Sequence, residues 1–371
     1  MSRNYLSKII VAAFAAILLF TGAARANLTI IPSFTGTLTN DPNSNAITNT
    51  ILQAIAMYQA TFSDNVTVFI TFTNMSGGLG ESSTALNQIS YSQFRSHLAS
   101  DATTIYDTNA LAHLPAGTTN PVNNVSVTDV NLAEGRALGF SGITSSGLGF
   151  NVSWTSSAGS PDGIIFLNTS IMNLSRASTN ASKYDLLGVV EHETDEVLCI
   201  GSALSAVNDG DPFPTSEAAP EDFFRYDQNG NRSFTTNASA QAYFSLDGKT
   251  LYAQFNENFG GDYNDWFSFP SGGHPPRVQD AYATPGATPD LNVELITLDA
   301  LGYNLIIPKM TLTRVSKNVE SISWTPSVPG FLLTENTNLA TTNWVVAASN
   351  TNNPALITNN VPVKFFRFDH P

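Results

Sequence analysis

With a single cysteine, Cys199, the chain has no intramolecular disulfide, which excludes a disulfide scaffold or a cysteine-rich metal finger. Charged residues are also scarce, at 12% of 371, and they lean acidic, giving a formal net charge of -14. No lysine or arginine cluster occurs anywhere in the sequence. Nucleic acid and anionic membranes are thereby excluded as natural partners, because both demand concentrated positive charge. Long apolar runs are missing as well. The most apolar segment, residues 9–20, falls short of the roughly 20 residues that span a bilayer. It follows Arg3 and Lys8 and precedes the small-residue stretch Ala24-Arg25-Ala26, the pattern of a secretory signal peptide over residues 1–26. The expectation is an exported protein, extracellular or periplasmic, with no membrane span.

What is present suits a sizeable core. Beyond the signal segment stand about 345 residues, and the chain as a whole is 42% hydrophobic, enough for one large domain or two smaller ones. From residue 27 to about 180, strand-like runs such as DNVTVFITFTNMSGG and DGIIFLNTSIM alternate with helical periodicity over residues 47–58 and 91–99. A third helix is expected over about 183–198, with Ser182 and Asp185 spaced as a capping box and Gly201 as its stop. Residues 202–304 are rich in Gly, Pro, Asn and Asp and largely irregular, apart from AYFSLDG and the helical DLNVELITLDALGY. They read as the second half of the same domain. After Pro308 come short alternating runs separated by turn residues, the texture of a small β-sandwich that resembles the fibronectin-III-like tails of secreted bacterial proteins. The expected architecture is α+β, with a mixed sheet and a site-bearing helix over 27–307 followed by an all-β sandwich module over 308–371.

The chemistry concentrates in GVVEHETDEVLCIGSAL, residues 188–204. On a helical wheel Leu186, Val190, Val197 and Ile200 form the core stripe, while His192 and Glu196 lie one turn apart on an adjoining stripe with Cys199. Glu193 falls between the two stripes. Glu191 and Asp195 land on the opposite side, where water is expected to solvate them. Glu193 and Glu196 point at or beside the apolar face, where a carboxylate needs a partner. A divalent cation would satisfy both together with His192. Chance produces H-E-x-x-E at this composition on the order of half a per cent per chain, which favours a built site. Residues i and i+4 present two ligands to one ion, and the glutamate at i+1 reaches water beside it. The expected roles are therefore metal ligand for His192 and Glu196 and general base for Glu193. No G-x-S-x-G elbow is present, and GGLGES at 77–82 lacks the Lys-Ser/Thr of a phosphate loop, leaving it a turn or a strand edge near the cleft.

EHETDEVLCIGSAL, DFFRYDQNGNRSF, AYFSLDGKTLYAQFN, GGDYNDWFS and DLNVELITLDALGY, in that order, resemble the blocks of a family of secreted bacterial metallopeptidases of zincin type, similar in layout to leishmanolysin-like metzincins. The resemblance spans about residues 60–304. In relatives with H-E-x-x-H, a later Ser-His-Trp supplies the third ligand. The corresponding block here is Asn264-Asp265-Trp266, so the resemblance implies a ligand set of His192, Glu196 and Asp265. Asp222 and Asp262 stand as alternative third ligands, and His274 as a substrate-side candidate. Two positions depart from the family pattern: Cys199 replaces a glycine, and QDAYATPG contains no methionine turn. Cys199 reads as a small buried apolar residue. The resemblance implies zinc, or another divalent cation suited to carboxylates, and metal-assisted hydrolysis of a protein or peptide substrate. The competing expectation is a secreted binding or surface protein on the same scaffold, catalytically inactive.

Overall fold

The β-branched run TVFITFTN (Thr67–Asn74) alternates buried and half-buried positions, as a strand facing a core on one side must. The structure, a computed structural model, describes residues 27–141, 144–145, 152–153, 161–205, 218–237, 239–258, 260–268, 275–325, 332–341, 343–347, 352–358 and 360–369. The expected signal segment and His274 lie outside the described residues. The architecture is α+β. Strand β1 (Thr29–Phe34) pairs in parallel with β2 (Thr67–Asn74). Strand β3 (Gly80–Thr84) pairs antiparallel with β6 (Gly163–Leu167), which in turn runs parallel to β2, giving the order β1-β2-β6-β3. The GGLGES stretch thus enters the sheet as an edge strand. Strands β4 (Leu86–Ser90) and β5 (Val127–Asn131) form a separate antiparallel pair.

Helix α1 (Ser44–Thr61) links β1 to β2 and buries Ile47, Ile51, Ala54, Ile55 and Tyr58, one helical face. Helices α2 (Tyr91–Asp101) and α3 (Ile105–His113) each open on a capping box, Ser90 with Gln93 and Thr104 with Asp107. A short α4 (Leu132–Ala137) precedes α5 (Leu186–Leu198), the motif helix, and α6 (Val293–Ala300) is buried throughout. The cap of α5 corrects the sequence reading. Asp185, not Ser182, is the N-cap, accepting the Gly188 N–H at 3.1 Å, because residues 184–185 are held extended by pairing with Met172–Asn173. The helix ends at Cys199 rather than on Gly201, with the Cys199 and Ile200 N–H groups both donating to the Asp195 carbonyl at 2.9 Å.

Helix α5 packs against α1, α6 and strands β3 and β6. Glycines permit the close approach. A methyl group at Gly163 would lie 2.5 Å from Val197 Cγ2, and one at Gly188 would lie 2.7 Å from Pro289 Cγ. The core stripe Leu186, Val190, Val197 and Ile200 is buried as expected.

Glu191 and Asp195 overturn the expectation of a solvated side, since both are wholly buried. Amphipathic periodicity locates one packed face, but α1 and α6 cover the other face too. Tyr58 Oη lies 2.7 Å from Asp195 Oδ1 and 2.8 Å from the Glu191 carbonyl. Burial pushes Glu191 up to about 8, against the lowering pull of Arg176. Burial and the nearby Glu294 hold Asp195 well above the usual carboxylate range.

Two hydrophobic clusters organise the described residues. The larger runs from Leu28 to Leu305. The second, built on Ile322, Trp324, Leu333, Ala347, Ala355 and Ile357, belongs to two three-stranded antiparallel sheets formed by strands within residues 309–369. No helix among the described residues is long and apolar enough to cross a membrane.

Tyr58→Phe removes the hydroxyl that faces the buried Asp195 and is expected to cost about 1–3 kcal/mol in urea denaturation. Unchanged stability would show that this contact does not compensate the burial of Asp195.

Candidate metal centre

His192 and Glu196, one turn apart on α5, face a cavity of about 590 Å³ whose wall also includes Glu193, Asp265, Gly80 and Ser82. The imidazole is oriented by its far nitrogen: Nδ1 lies 3.0 Å from the Val278 main-chain carbonyl, to which it donates, so Nε2 faces the cavity. Glu196 Oε1 lies 3.7 Å from that Nε2 and Asp265 Oδ1 lies 3.6 Å from it. One ligand atom from each of the three residues falls within 4.8 Å of the other two. Two ligands of one tetrahedral ion, bound at about 2.0–2.1 Å, sit about 3.3–3.4 Å apart. The donor set therefore fits a small divalent cation once the ligand atoms draw together around it.

Each carboxylate is held by neighbours. Ser82 Oγ donates to Glu196 Oε2 at 2.7 Å, and Asn264 Nδ2 donates to Glu196 Oε1 at 3.1 Å and to Asp265 Oδ1 at 3.0 Å. Gln279 Nε2 donates to Asp265 Oδ1 at 3.1 Å. Asp265 itself sits on an irregular segment fixed by buried groups. Trp266 is wholly buried, with its indole N–H donating to Glu294 Oε1 at 2.9 Å, and the Gln279 N–H donates to the same oxygen at 3.0 Å. Two residues before Asp265, the Tyr263 carbonyl accepts from the buried Arg225 guanidinium at 2.7 Å, which also stacks 4.0 Å over Phe255.

Glu193 stands beside the three converging residues and is 5% exposed. Its carboxylate rests against Gly80, where an added methyl would overlap Glu193 Oε1 and lie 2.8 Å from Val189 Cγ1. Burial, then the neighbouring Glu196, raise its pKa well above the ordinary value. Burial also pushes Asp265 up to about 8, with His192 opposing the rise and Glu196 adding to it. For His192, burial works against protonation, but Asp265, Glu193 and Glu196 outweigh it and lift the imidazole to about 10. His192 is thereby held toward its protonated form in the ion-free protein.

The alternative third ligands are placed elsewhere. Asp222 accepts Ser202 Oγ at 2.6 Å and the Ala203 and Ala219 N–H groups at 3.0 and 3.1 Å, tying a loop. Asp262 is exposed at the cavity rim. Cys199 is buried and free. Among the described residues no other group of His, Cys, Asp or Glu converges in this way. Sequence reasoning missed Ser82, Asn264, Val278 and Gln279. Asn264 adjoins Asp265 and Ser82 lies in the glycine-rich stretch near the cleft, but nothing in the sequence marks Val278 or Gln279. No family model, curated protein or solved structure matches the chain.

Two outcomes follow from this geometry. Gly80→Ala crowds both Glu193 and the β-branched Val189 of α5, so stability is expected to fall in urea denaturation; an unchanged midpoint would show that the contact is slack. Asp265 and Glu191 have folded pKa values of about 8, raised from 3.8 and 4.5, so the folded chain holds more protons than the unfolded one between those limits. Stability of the ion-free protein should therefore fall as pH rises from about 4 to 8. A divalent ion at a hundred times its Kd should add about 2.7 kcal/mol. A thermal melt that is flat with pH in chelator would contradict the assignment.

Proposed function

We propose that the chain is an exported metallopeptidase with a zincin-like catalytic unit over residues 27–307 and a β-sandwich module over 308–371. The observation that carries this reading is the convergence of His192 and Glu196 with Asp265, 69 residues further on, on the wall of a cavity that also holds Glu193. Two three-stranded antiparallel sheets around a separate core support the tail assignment. Zinc suits the donor set, and carboxylate oxygens also accept harder divalent ions.

When bound, such an ion supplies Lewis acidity toward a carbonyl oxygen and lowers the pKa of water. The protein's own groups do the rest. Val278 fixes the tautomer of His192, leaving its Nε2 lone pair for the ion. Ser82 and Asn264 fix Glu196. Glu193, with its raised pKa, accepts a proton from water and returns it to the departing amine. Edge strand β3 contributes Gly80, Glu81 and Ser82 to the cavity wall, where an extended peptide can align by main-chain pairing. One feature favours the alternative, a catalytically inactive binding protein on the same scaffold: the carboxylate of Glu196 adds negative charge at the ion and weakens it as an acid.

The mature protein is expected to bind a divalent ion and to cleave casein or gelatin in a chelator-sensitive manner. Glu193→Gln should lower hydrolysis by about 10²–10⁴-fold while leaving ion binding within a few-fold. Glu196→Ala should abolish or strongly weaken ion binding in elemental analysis. A parent protein that takes up no divalent ion, or hydrolysis that persists in Glu193→Gln, would end this reading; binding without hydrolysis would favour the inactive alternative.

A further inference from the structure

A fourth side chain belongs to the ring of ligand atoms, and its role depends on which way an amide faces. Gln279 is wholly buried. Its Nε2 lies 3.3 Å from His192 Nε2 and 3.1 Å from Asp265 Oδ1. Its Oε1 is buried with no hydrogen-bond partner. Such an orphaned carbonyl costs free energy wherever it is kept. The two ends of a primary amide have nearly the same size, so a half-turn of the terminal torsion exchanges oxygen and nitrogen in place.

With the oxygen inward, one imidazole nitrogen, two carboxylate oxygens and one amide oxygen border the same small space. Four of the separations among these positions are 3.1, 3.3, 3.6 and 3.7 Å, against tetrahedron edges of about 3.3–3.4 Å for bonds of about 2.0–2.1 Å. Without a cation the Gln279 Nε2–H donates to Asp265 Oδ1 at 3.1 Å, which keeps the amide nitrogen inward. A cation attracts both oxygens and so favours the turned amide.

We propose that Gln279 is a fourth protein ligand, its side-chain carbonyl turning inward as the divalent ion enters. The inference rests on the metal site of the proposed function and deepens it. A neutral oxygen adds a ligand without adding charge to a site already rich in carboxylates. One nitrogen with three oxygens is a harder set than one built on several imidazoles, which extends the range of ions from Zn2+ toward Mn2+. The single imidazole argues against Ca2+, which takes six to eight oxygens.

The test compares the parent protein with Gln279→Leu and Gln279→Glu, each in full mature form with its ion-free melting temperature recorded. Zn2+ affinity is measured by competition with a chromogenic chelator, and the visible absorption of the Co2+ form reports coordination. The expected result is a loss of about 10–100-fold in affinity for Gln279→Leu with a changed Co2+ spectrum. Gln279→Glu, which keeps an oxygen in place, should bind at least as tightly as the parent with a parent-like spectrum. If Gln279 serves only as an N–H donor to Asp265, Gln279→Glu will lose at least as much affinity as Gln279→Leu and the Co2+ spectrum of the leucine variant will match the parent; that result overturns the proposal. A parent protein that binds neither Zn2+ nor Co2+ overturns the metal site itself, and this is read before any variant is made.

Discussion

Removing four acidic side chains of one helix from bulk water is the constraint to which the rest of the structure answers. Glu191, Glu193 and Asp195 are buried, and the Glu196 side chain is only 15% exposed. Carboxylates placed this way must be neutralised, paired or hydrogen-bonded. Lysine and arginine number only 16 in the whole chain, and even Arg277, on the cavity wall, donates to the Tyr252 carbonyl at 3.4 Å. Arg176 bridges Asp185 and Asp290, and Arg225 pairs with Glu257. For Glu193 and Asp265 the neighbouring His192 is a cation that opposes the rise in pKa. The imidazole accordingly retains its proton far above its usual range, and an entering ion replaces that proton rather than filling a neutral gap.

The second half of the site depends on Glu294. This buried carboxylate on α6 accepts the Trp266 indole and the Gln279 main-chain N–H through one oxygen and the Asn292 N–H through the other. It thereby fastens two irregular segments side by side, one carrying Asp265 and the other carrying Val278 and Gln279. A cross-link of the two main chains, Trp266 N–H to the Gln279 carbonyl at 2.7 Å, completes the arrangement. Loop residues gain the placement of a regular element because their polar atoms are satisfied inside the protein instead of by water.

Local patterns made α1, α2, α5 and α6 and the helix motif legible in the sequence, but not the shorter α3 and α4. The stripe Leu186, Val190, Val197, Ile200 and the pairing of His192 with Glu196 follow from a period of 3.6 alone, and the alternating runs after Pro308 became paired strands. The wheel failed for Glu191 and Asp195, because periodicity reports the strongest packed face and says nothing of a second layer. That layer comes from α1 and α6, one of them a hundred residues further along the chain. Asp265 was reached only through resemblance to other sequences, since nothing in the order NDW encodes its distance from His192. Val278 and Gln279 had no signal at all: their function is created by tertiary contact between loops without a period.

The glycines under α5 carry a last consequence. Gly163 meets the branched Val197, Gly80 meets Val189 and Glu193, and Gly188 meets Pro289. Stiff side chains against bare backbone leave a helix little freedom to roll or slide. His192 and Glu196, the candidate ligands on that helix, are thereby held against the sheet as firmly as the Glu294 cross-links hold the segments carrying Asp265 and Gln279. A cavity walled on both sides in this way would select an ion by its size instead of moulding itself to one.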